Sequence, residues 1–270
     1  MVNYDIRKLQ LRILNILKSV DQVCTDHHLT YYIWAGTMIG AIRHHGFIPW
    51  DDDIDIAMPR EDYNRIIENS TAWLPTSLEM VCTENDSSYP LPFAKIQDST
   101  TTLIERMHLK YLGGIYIDVF PLDGVPKGWI KQKLHFGQYE YYKRILYLVH
   151  RNPYKHGKGP SCWIPLLCRH LFRMEEIQRK IRKILIRYPF SNSRLIADYD
   201  DGFHGKMDKS VLGKPTAYKF EDTTVKGVQN YGQYLSQKYG NYMEMPPEEK
   251  RHQHNFYYLD LNHSYRAFKD

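Results

Sequence analysis

The chain has 270 residues, of which 43% are hydrophobic and 25% are charged, and its net charge is +5. These values are ordinary for a folded globular protein and exclude a disordered chain. The four cysteines form no CxxC pair and no regular framework, which favours a reducing, intracellular compartment. The N-terminus lacks the apolar core of a signal peptide, and no apolar run approaches the roughly 18 residues of a membrane span. Together these features predict a cytoplasmic protein.

The first elements are a helix, a short strand and a second helix. Apolar residues recur at helical spacing over residues 5–24, residues 31–35 are aromatic and β-like, and residues 37–43 have a helical pattern. Gly36 and Thr37 therefore lie at a strand-to-helix junction. Backbone N–H groups at such a junction are unpaired and can bind phosphate.

The rest of the first half alternates strands with a helix. Residues 54–58 alternate acidic and apolar side chains, as in a strand with one solvated face, and residues 61–69 have a helical pattern. Further β-like runs follow, at residues 78–82, 93–97, 101–105 and 115–120. The pattern predicts an α/β or α+β fold with several strands in one sheet.

A basic segment follows the predicted sheet. Residues 127–188 contain eight Lys and seven Arg against three Glu, a net charge of +12, which leaves −7 for the remainder. Helical patterns at 129–150 and 162–188 are separated by a stretch rich in Gly and Pro. The segment predicts an anionic partner such as a phosphorylated polymer, a lipid surface or nucleic acid. The alternative is that the cations form only the solvated face of long helices.

The C-terminal part returns to mixed structure. Residues 219–225 predict a strand, residues 231–238 predict a helix, and the two prolines at 246–247 end that region.

Four of the five residues from 51 to 55 are aspartates. Adjacent carboxylates repel one another, so this arrangement is unfavourable unless a cation neutralises it. On a strand, Asp53 and Asp55 point to one face while Ile54 and Ile56 point into the core. Such a pair suits one or two hard divalent cations, Mg²⁺ or Mn²⁺. The alternative is an exposed acidic turn or a helix N-terminus, but neither explains the interleaved apolar residues.

Metal-assisted phosphoryl transfer usually needs a third carboxylate, as a ligand or as a proton acceptor. Asp118 is flanked by Ile117 and Val119, the same pattern of apolar and acidic residues on another predicted strand. Asp123 is the competing candidate, but its sequence context is that of a turn, where aspartate is common for local reasons. We therefore predict Asp118 as the third member of the site.

This arrangement of Gly36-Thr37, Asp53-x-Asp55 and Asp118 resembles the nucleotidyltransferase superfamily. The long motif at residues 35–55, AGTMIGAIRHHGFIPWDDDID, resembles more closely the LicD family of phosphocholine-type transferases. A second match to that family lies at residues 231–247, YGQYLSQKYGNYMEMPP. The two matches together extend the resemblance over nearly the whole chain.

The resemblance implies an α+β fold with a nucleotidyltransferase-like core, in which helices flank a mixed β-sheet. The core is expected at residues 1–126, a basic helical segment at 127–190, and a C-terminal segment at 191–270 that packs back on the core.

The same resemblance implies a transfer reaction. Phosphocholine, or a similar phospho-alcohol, would move from a CDP-linked donor such as CDP-choline to a hydroxyl of a cell-surface glycan precursor, for example teichoic acid or lipopolysaccharide. Mg²⁺ would be held by Asp53, Asp55 and Asp118, which are also the predicted catalytic residues. Five residues are expected to bind the donor phosphates, namely Gly36, Thr37, Arg43, Lys95 and Gln97. Trp50 and Tyr116 are candidates for the aromatic wall that a quaternary ammonium requires.

Two other functions stay open at this stage. The first is a nucleotidyltransferase that uses a nucleoside triphosphate on a small molecule, RNA or protein. The second is a basic adaptor that binds nucleic acid, which gives no role to Asp53 or Asp55, so nucleic acid is not the expected partner. The expected acceptor is a glycan or a lipid-linked glycan. The expected location is cytoplasmic, with the basic segment in peripheral contact with the anionic inner face of the membrane.

Overall fold

The computed structural model of the protein describes residues 4–106, 111–251, 253–254 and 256–268. Within these ranges, ten strands form one mixed sheet that is flanked by helices, so the predicted α+β class is confirmed. The α-helices of the described part are α1 (Ile6–Asp26), α2 (Ala35–Arg43), α3 (Arg60–Trp73), α4 (Trp129–His150), α5 (Trp163–Leu171), α6 (Met174–Leu185) and α7 (Tyr231–Tyr239). The strands are β1 (Tyr32–Ile33), β2 (Asp55–Pro59), β3 (Leu78–Val81), β4 (Ala94–Ile104), β5 (Gly113–Gly124), β6 (Leu195–Asp198), β7 (Lys206–Asp208), β8 (Thr216–Phe220), β9 (Thr223–Gly227) and β10 (Tyr258–Asp260).

The main path of the sheet runs β10-β4-β5-β2-β1-β9-β8. The pairs β2–β5 and β1–β9 are parallel, while β1–β2, β4–β5, β8–β9 and β10–β4 are antiparallel. Two further branches join this path: β3 pairs with β4, and β6 pairs with the last residues of β5 and with β7. The long strand β5 is thus the central element to which the other parts of the sheet attach.

Residue alternation explains why β5 can be both a core strand and a wall of a site. Ile115, Ile117 and Val119 are fully buried in the main hydrophobic core. Tyr116 and Asp118, at the intervening positions, point to the other face of the sheet. Helix α1 contacts β5 and buries the apolar stripe that its helical spacing predicts. The apolar side chains of β5 therefore anchor the strand in the core, and the polar side chains on its other face are available to form a site.

The basic helices have a second, smaller hydrophobic cluster. It joins one face of α4 to one face of α6 and includes side chains that precede and follow these helices in the chain, namely Val125, Phe136, Tyr139, Ile145, Leu146, Ile177, Ile181, Ile184, Leu185, Ala197 and Tyr199. Apolar residues of α4 and α6 therefore pack with Val125, which follows β5, and with Ala197 of β6. In the described ranges, no helix is long and apolar enough to span a bilayer.

The sequence pattern located most elements but joined or divided some of them incorrectly. The helix predicted at 129–150 is α4, with the same limits. The runs at 93–97 and 101–105 form one strand, β4, whose register shifts between Asp98 and Leu103. The helix predicted at 162–188 is divided in two, because Phe172 and Arg173 adopt extended backbone angles. The strand predicted at 219–225 spans the turn of the β8–β9 hairpin.

Asp123 forms a buried ion pair at the far end of β5. Two hydrogen bonds join the Arg60 guanidinium to its carboxylate, with Nε···Oδ1 at 2.8 Å and Nη2···Oδ2 at 2.5 Å, and both side chains are buried. Arg60 is the first residue of α3, so the pair fixes that helix to the sheet. The residue that competed with Asp118 for a catalytic role therefore has a structural partner.

We predict that Asp123→Ala lowers the free energy of unfolding by about 3–5 kcal/mol, because it leaves the Arg60 charge buried without a partner. Urea denaturation followed by circular dichroism measures the change. The double variant Arg60→Met/Asp123→Leu is the control, since replacing both charges with apolar groups is expected to restore most of the stability. A single variant as stable as the wild type would contradict this role.

Candidate active site

A cleft of about 900 Å³ lies along the polar face of the sheet, and Asp53, Asp55 and Asp118 line it. Asp55 and Asp118 are register partners on the parallel strands β2 and β5. Lys95 on β4 is in turn the register partner of Asp118 on the opposite side. Sheet pairing therefore sets a carboxylate, a second carboxylate and an ammonium group in one row. We call Asp53, Asp55 and Asp118 the first aspartate cluster.

Two hydrogen bonds from backbone N–H groups position Asp55 and Asp118 of the first aspartate cluster. The Asp55 N–H donates to Thr37 Oγ1 at 2.8 Å, and the Asp118 N–H donates to the Ile54 carbonyl at 2.9 Å. Thr37 lies in the first turn of α2 and is buried. Its hydroxyl therefore positions the first residue of β2, a role that the sequence did not predict.

Asp52 lies behind the cluster and holds both ends of the chain against it. Its buried carboxylate accepts hydrogen bonds from the Tyr4 hydroxyl at 2.5 Å, from the His254 N–H at 2.9 Å and from His254 Nδ1 at 2.6 Å. His254 Nδ1 is also 3.9 Å from Asp53 Oδ2. The hydrogen bond to Asp52 raises the pKa of His254 to about 9, so the imidazolium offsets part of the negative charge of the run.

Burial, together with mutual repulsion, raises the pKa values of the aspartates. Burial, followed by the charge of Asp53, raises the pKa of Asp51 to about 8. Burial also raises the pKa of Asp118 to about 7, although Lys95 acts in the opposite direction. The pKa of Asp55 lies well above its usual range for the same reason, with added repulsion from Asp53 and Asp118. This accumulation of unfavourable charge is typical of a functional site.

Lys95 is fixed between two acids and an aromatic ring. Its Nζ forms an ion pair with Glu105, lies 3.6 Å from Asp118 Oδ1, and lies 3.1 Å from the centroid of the Tyr116 ring. The side chain is buried, so the ammonium has a fixed position beside the cleft. A cation held in this way can contact an anionic substrate that enters the cleft.

A second aspartate cluster, Asp198, Asp200 and Asp201, lines the same cleft at the end of β6 and in the turn that follows it. Lys143 Nζ of α4 lies 2.5 Å from Asp200 Oδ1, and Lys238 of α7 forms an ion pair with Asp201. Both lysines also line the cleft. The basic helical segment and the C-terminal segment therefore each contribute a paired cation to the cleft lining.

Asp198 is the most enclosed member of that cluster. It accepts a hydrogen bond from Trp34 Nε1 at 3.0 Å, and burial raises its pKa to about 7. Three aspartates within residues 198–201 were a visible signal in the sequence. Without the alternating apolar residues that mark residues 53–56, the run did not indicate a strand that ends at a site.

Five residues predicted to bind the ligand lie outside the cleft lining, namely Gly36, Thr37, Arg43, Trp50 and Gln97. Arg43 Nη1 donates to the carbonyls of Tyr242 and Glu244, at 2.8 and 3.2 Å. This residue therefore holds the C-terminal segment, and its predicted phosphate contact is not supported. Trp50, a predicted aromatic wall, lies instead under the Arg251 guanidinium, 5.0 Å from ring centroid to Cζ.

Gln97 and Gly36 have local partners. The Gln97 side chain accepts from the Gly114 N–H at 3.2 Å and donates to Glu79 at 3.0 Å, so it joins strands, two residues from Lys95 on β4. A Cβ added at Gly36 would lie 3.1 Å from Asp51 Oδ2. Gly36 thus allows the close approach of the aspartate run to α2, whereas its predicted role in binding phosphate stays a prediction.

The donor chemistry of the first aspartate cluster fits a hard divalent cation. Asp118 Oδ1 is buried and accepts no hydrogen bond from any residue in the described ranges. Over those same ranges, no group of three or more His, Cys, Asp and Glu side chains is arranged to hold a metal ion. The carboxylate oxygens fit Mg²⁺ by their chemistry, because this ion usually takes one or two protein carboxylates and completes its shell with water and substrate phosphates.

Comparison with known proteins identifies the class. Residues 28–148, which contain the first aspartate cluster, Thr37 and Lys95, match the family described as LicD/FKTN/FKRP, nucleotidyltransferase domain. This part of the chain is similar to the LicD family.

Curated relatives extend the similarity beyond the matched domain. The lipopolysaccharide cholinephosphotransferase LicD of Haemophilus influenzae is 29% identical over 266 residues, which cover 94% of this chain and 97% of the relative. An uncharacterized protein of Rickettsia prowazekii is 40% identical over 55 residues, 20% of this chain and 21% of the relative. A protein of Rickettsia typhi, also uncharacterized, has 40% identity over 55 residues.

We predict that Thr37→Val lowers the free energy of unfolding by about 1–3 kcal/mol, because it leaves the buried Asp55 N–H without an acceptor. Chemical denaturation measures the loss. Thr37→Ser keeps the hydroxyl and is the matched control, with an expected loss of less than half that of Thr37→Val. Equal losses in the two variants would instead assign the effect to the threonine methyl group.

The raised pKa values predict that the metal-free protein becomes less stable between pH 6.5 and pH 8. Asp51 and Asp118 retain protons in the folded state that the unfolded chain has already released, and His254 binds a proton that the unfolded chain loses, so unfolding is favoured as the pH rises. Each such group contributes on the order of 1 kcal/mol per pH unit.

Denaturant titrations in the presence of a chelator, at pH 6.5, 7.2 and 8, measure this slope. Asp51→Asn removes one of the titrating groups and is expected to flatten it. A free energy of unfolding that rises over this range in the wild-type protein would contradict the assignment.

Proposed function

We propose that the protein is a transferase that moves phosphocholine, or a similar phospho-alcohol, from a CDP-linked donor to a hydroxyl of a cell-surface glycan precursor. The observation that carries the proposal is the row formed by Asp55, Asp118 and Lys95 on three neighbouring strands, at the wall of the cleft. The name of the Haemophilus influenzae relative, which covers nearly the whole chain, supports phosphocholine as the group and lipopolysaccharide as one acceptor. Teichoic acid is the other acceptor class that we include.

The core that carries this chemistry is proposed to be nucleotidyltransferase-like. The description of the matching family supports this proposal, as does the position of the aspartates on adjacent strands of a mixed sheet. Mg²⁺ or Mn²⁺, held by Asp53, Asp55 and Asp118 as one or two ions, would neutralise the donor diphosphate and the charge that develops on the departing CMP.

The residues of the chain supply the remaining parts of the reaction. The acceptor oxygen attacks the phosphorus that carries the alcohol, the bond from that phosphorus to the bridging oxygen breaks, and CMP departs with the bridging oxygen. The hydroxyl proton passes to the Asp118 carboxylate, which lies at the wall of the cleft. Lys95 lies beside Asp118 and can contact the transferred phosphoryl group.

The cleft also contains aromatic surface for an alkylated ammonium group. Phe93 and Phe120 pack with their ring centroids 4.5 Å apart, and both line the cleft together with Tyr147 and Tyr239. A quaternary ammonium cannot donate N–H hydrogen bonds and is bound instead by aromatic faces. Tyr116, a predicted wall residue, also lines the cleft, but its ring face already receives Lys95.

We further propose that the protein works in the cytoplasm, in peripheral contact with the inner face of the membrane, where precursors of surface glycans are accessible. The charge of the basic helical segment supports this location.

We predict that the protein releases CMP from CDP-choline in the presence of Mg²⁺ and a lipopolysaccharide or teichoic acid precursor, and that a chelator stops the release. Asp55→Asn and Asp118→Asn are each expected to lower kcat/KM by at least about 100-fold, because each removes a charge or a base that acts in the transition state. CMP and choline transferred to the acceptor are measured by chromatography and mass spectrometry.

Asp222→Asn is the matched control, because Asp222 is exposed and pairs with Lys18 at the surface, outside the cleft lining. This variant is expected to keep wild-type activity. Release of pyrophosphate from ATP or CTP, without CMP release from CDP-choline, would replace the proposal with a nucleotidyltransferase. Full activity of Asp55→Asn and Asp118→Asn would exclude the site.

A further inference from the structure

Helix α5 exposes most of its apolar side chains to solvent. The exposed fractions are 67% for Trp163, 62% for Ile164, 57% for Leu167 and 60% for Leu171. Burying side chains of this size normally contributes about 1.5–3 kcal/mol each, so their exposure on one short helix is unfavourable in water. The helix therefore presents an apolar surface without a partner in the described part of the chain.

The exposed residues form one face, and the opposite face holds the helix to the protein. At 100° per residue, Trp163, Ile164, Leu167 and Leu171 fall within an arc of about 100°. Arg169 lies on the other side, where its guanidinium donates to the carbonyls of Val149, His150 and Arg151 at 2.9–3.2 Å. Pro165, on the same side as Arg169, is buried. The apolar arc therefore points away from the protein.

The chain from the middle of α4 to the end of α5 carries only positive charges. Residues 141–174 contain seven Lys and Arg side chains and no Asp or Glu. A second copy of the chain would bring an equal positive charge against this face, so self-association is disfavoured. A surface that combines a hydrocarbon layer with negative charge satisfies both properties of the face, and an anionic bilayer has this composition.

We propose that α5 is a membrane-binding helix that lies in the plane of an anionic bilayer, with Trp163, Ile164, Leu167 and Leu171 inserted at the boundary between headgroups and acyl chains. Its nine residues give a length of roughly 14 Å, too short to span a hydrocarbon core of about 30 Å. Tryptophan is the aromatic residue most suited to this boundary, because its ring is apolar and its N–H is polar. The surrounding cations bind the lipid phosphates.

The position of α5 connects the membrane to the cleft. Arg169 binds the last carbonyls of α4, and the residues of α4 one to two turns earlier, Lys143 and Tyr147, line the cleft. Docking through α5 therefore brings this wall of the cleft close to the lipid surface. For the proposed transferase, and resting on that proposal, the preferred acceptor is then a lipid-linked glycan.

Co-sedimentation with vesicles tests the proposal. The full-length protein is mixed with vesicles of phosphatidylglycerol and phosphatidylcholine, and with vesicles of phosphatidylcholine alone, at low salt. We expect the partition coefficient of the double variant Trp163→Ser/Leu167→Ser on the anionic vesicles to be at least about ten-fold lower than that of the wild type. We also expect the wild type to bind phosphatidylcholine vesicles at least about ten-fold more weakly than the anionic ones.

Leu11→Ser is the matched control. Leu11 is also exposed, at 45%, but it lies on α1, away from the basic segment, so this variant is expected to bind anionic vesicles as the wild type does. Thermal denaturation of each variant checks that folding is unchanged, as expected for solvent-facing positions. The vesicle measurement does not use the transferase activity, so it is independent of the proposed function.

Two results would overturn the inference. The first is equal vesicle binding by the wild type and by Trp163→Ser/Leu167→Ser. The second is a wild-type dimer in sedimentation velocity that the double variant abolishes, since the apolar arc would then be an interface between two copies.

Discussion

The parallel pairing of β2 with β5 forces Asp55 and Asp118 to be neighbours in the wall of the cleft. Asp53 adds a third carboxylate two residues from Asp55, and their repulsion and burial raise the pKa values of the group. Such an arrangement reduces stability unless a cation or a proton compensates it. The apolar residues of β5 hold the strands together in spite of this cost. The architecture of the protein is therefore a balance between a hydrophobic sheet face that fixes the strands and a charged face that opposes their approach.

Elements from the whole chain stabilise this balance. Thr37 fixes the start of β2, while Asp52 brings Tyr4 and His254 together behind the aspartates. Because the pKa of His254 is raised, it adds positive charge close to Asp53 at neutral pH. The contacts of His254 span most of the chain, because it lies 202 positions from Asp52 and 250 from Tyr4. The geometry of the first aspartate cluster therefore depends on contacts with both terminal segments. Substitutions in either segment are expected to alter that geometry.

The matched family domain ends at residue 148, within α4, but the cleft does not end there. Lys143 and Lys238 line the cleft and pair with the second aspartate cluster. These two lysines come from the basic segment and the C-terminal segment. The same basic segment continues into α5, where apolar and cationic residues are exposed together. One continuous stretch thus forms a wall of the cleft and a surface suited to lipid. Substrate selection in this protein would then depend on parts of the chain outside the domain that carries the aspartates.

The sequence by itself determined the local features of the site. Alternation over residues 53–56 gave the direction of Asp53 and Asp55, helical periodicity gave the limits of α4, and the motif at residues 35–55 gave the resemblance to the LicD family. These features depend on neighbours in the chain, whose geometry is set by the period of a strand or a helix. Only the tertiary structure decided which distant groups meet. In the fold, Asp118 is the register partner of Asp55, Arg43 donates to backbone carbonyls of the C-terminal segment, and Asp198 lies at the cleft. The sequence did not show these contacts, because long-range strand pairing and packing are not encoded in any local period.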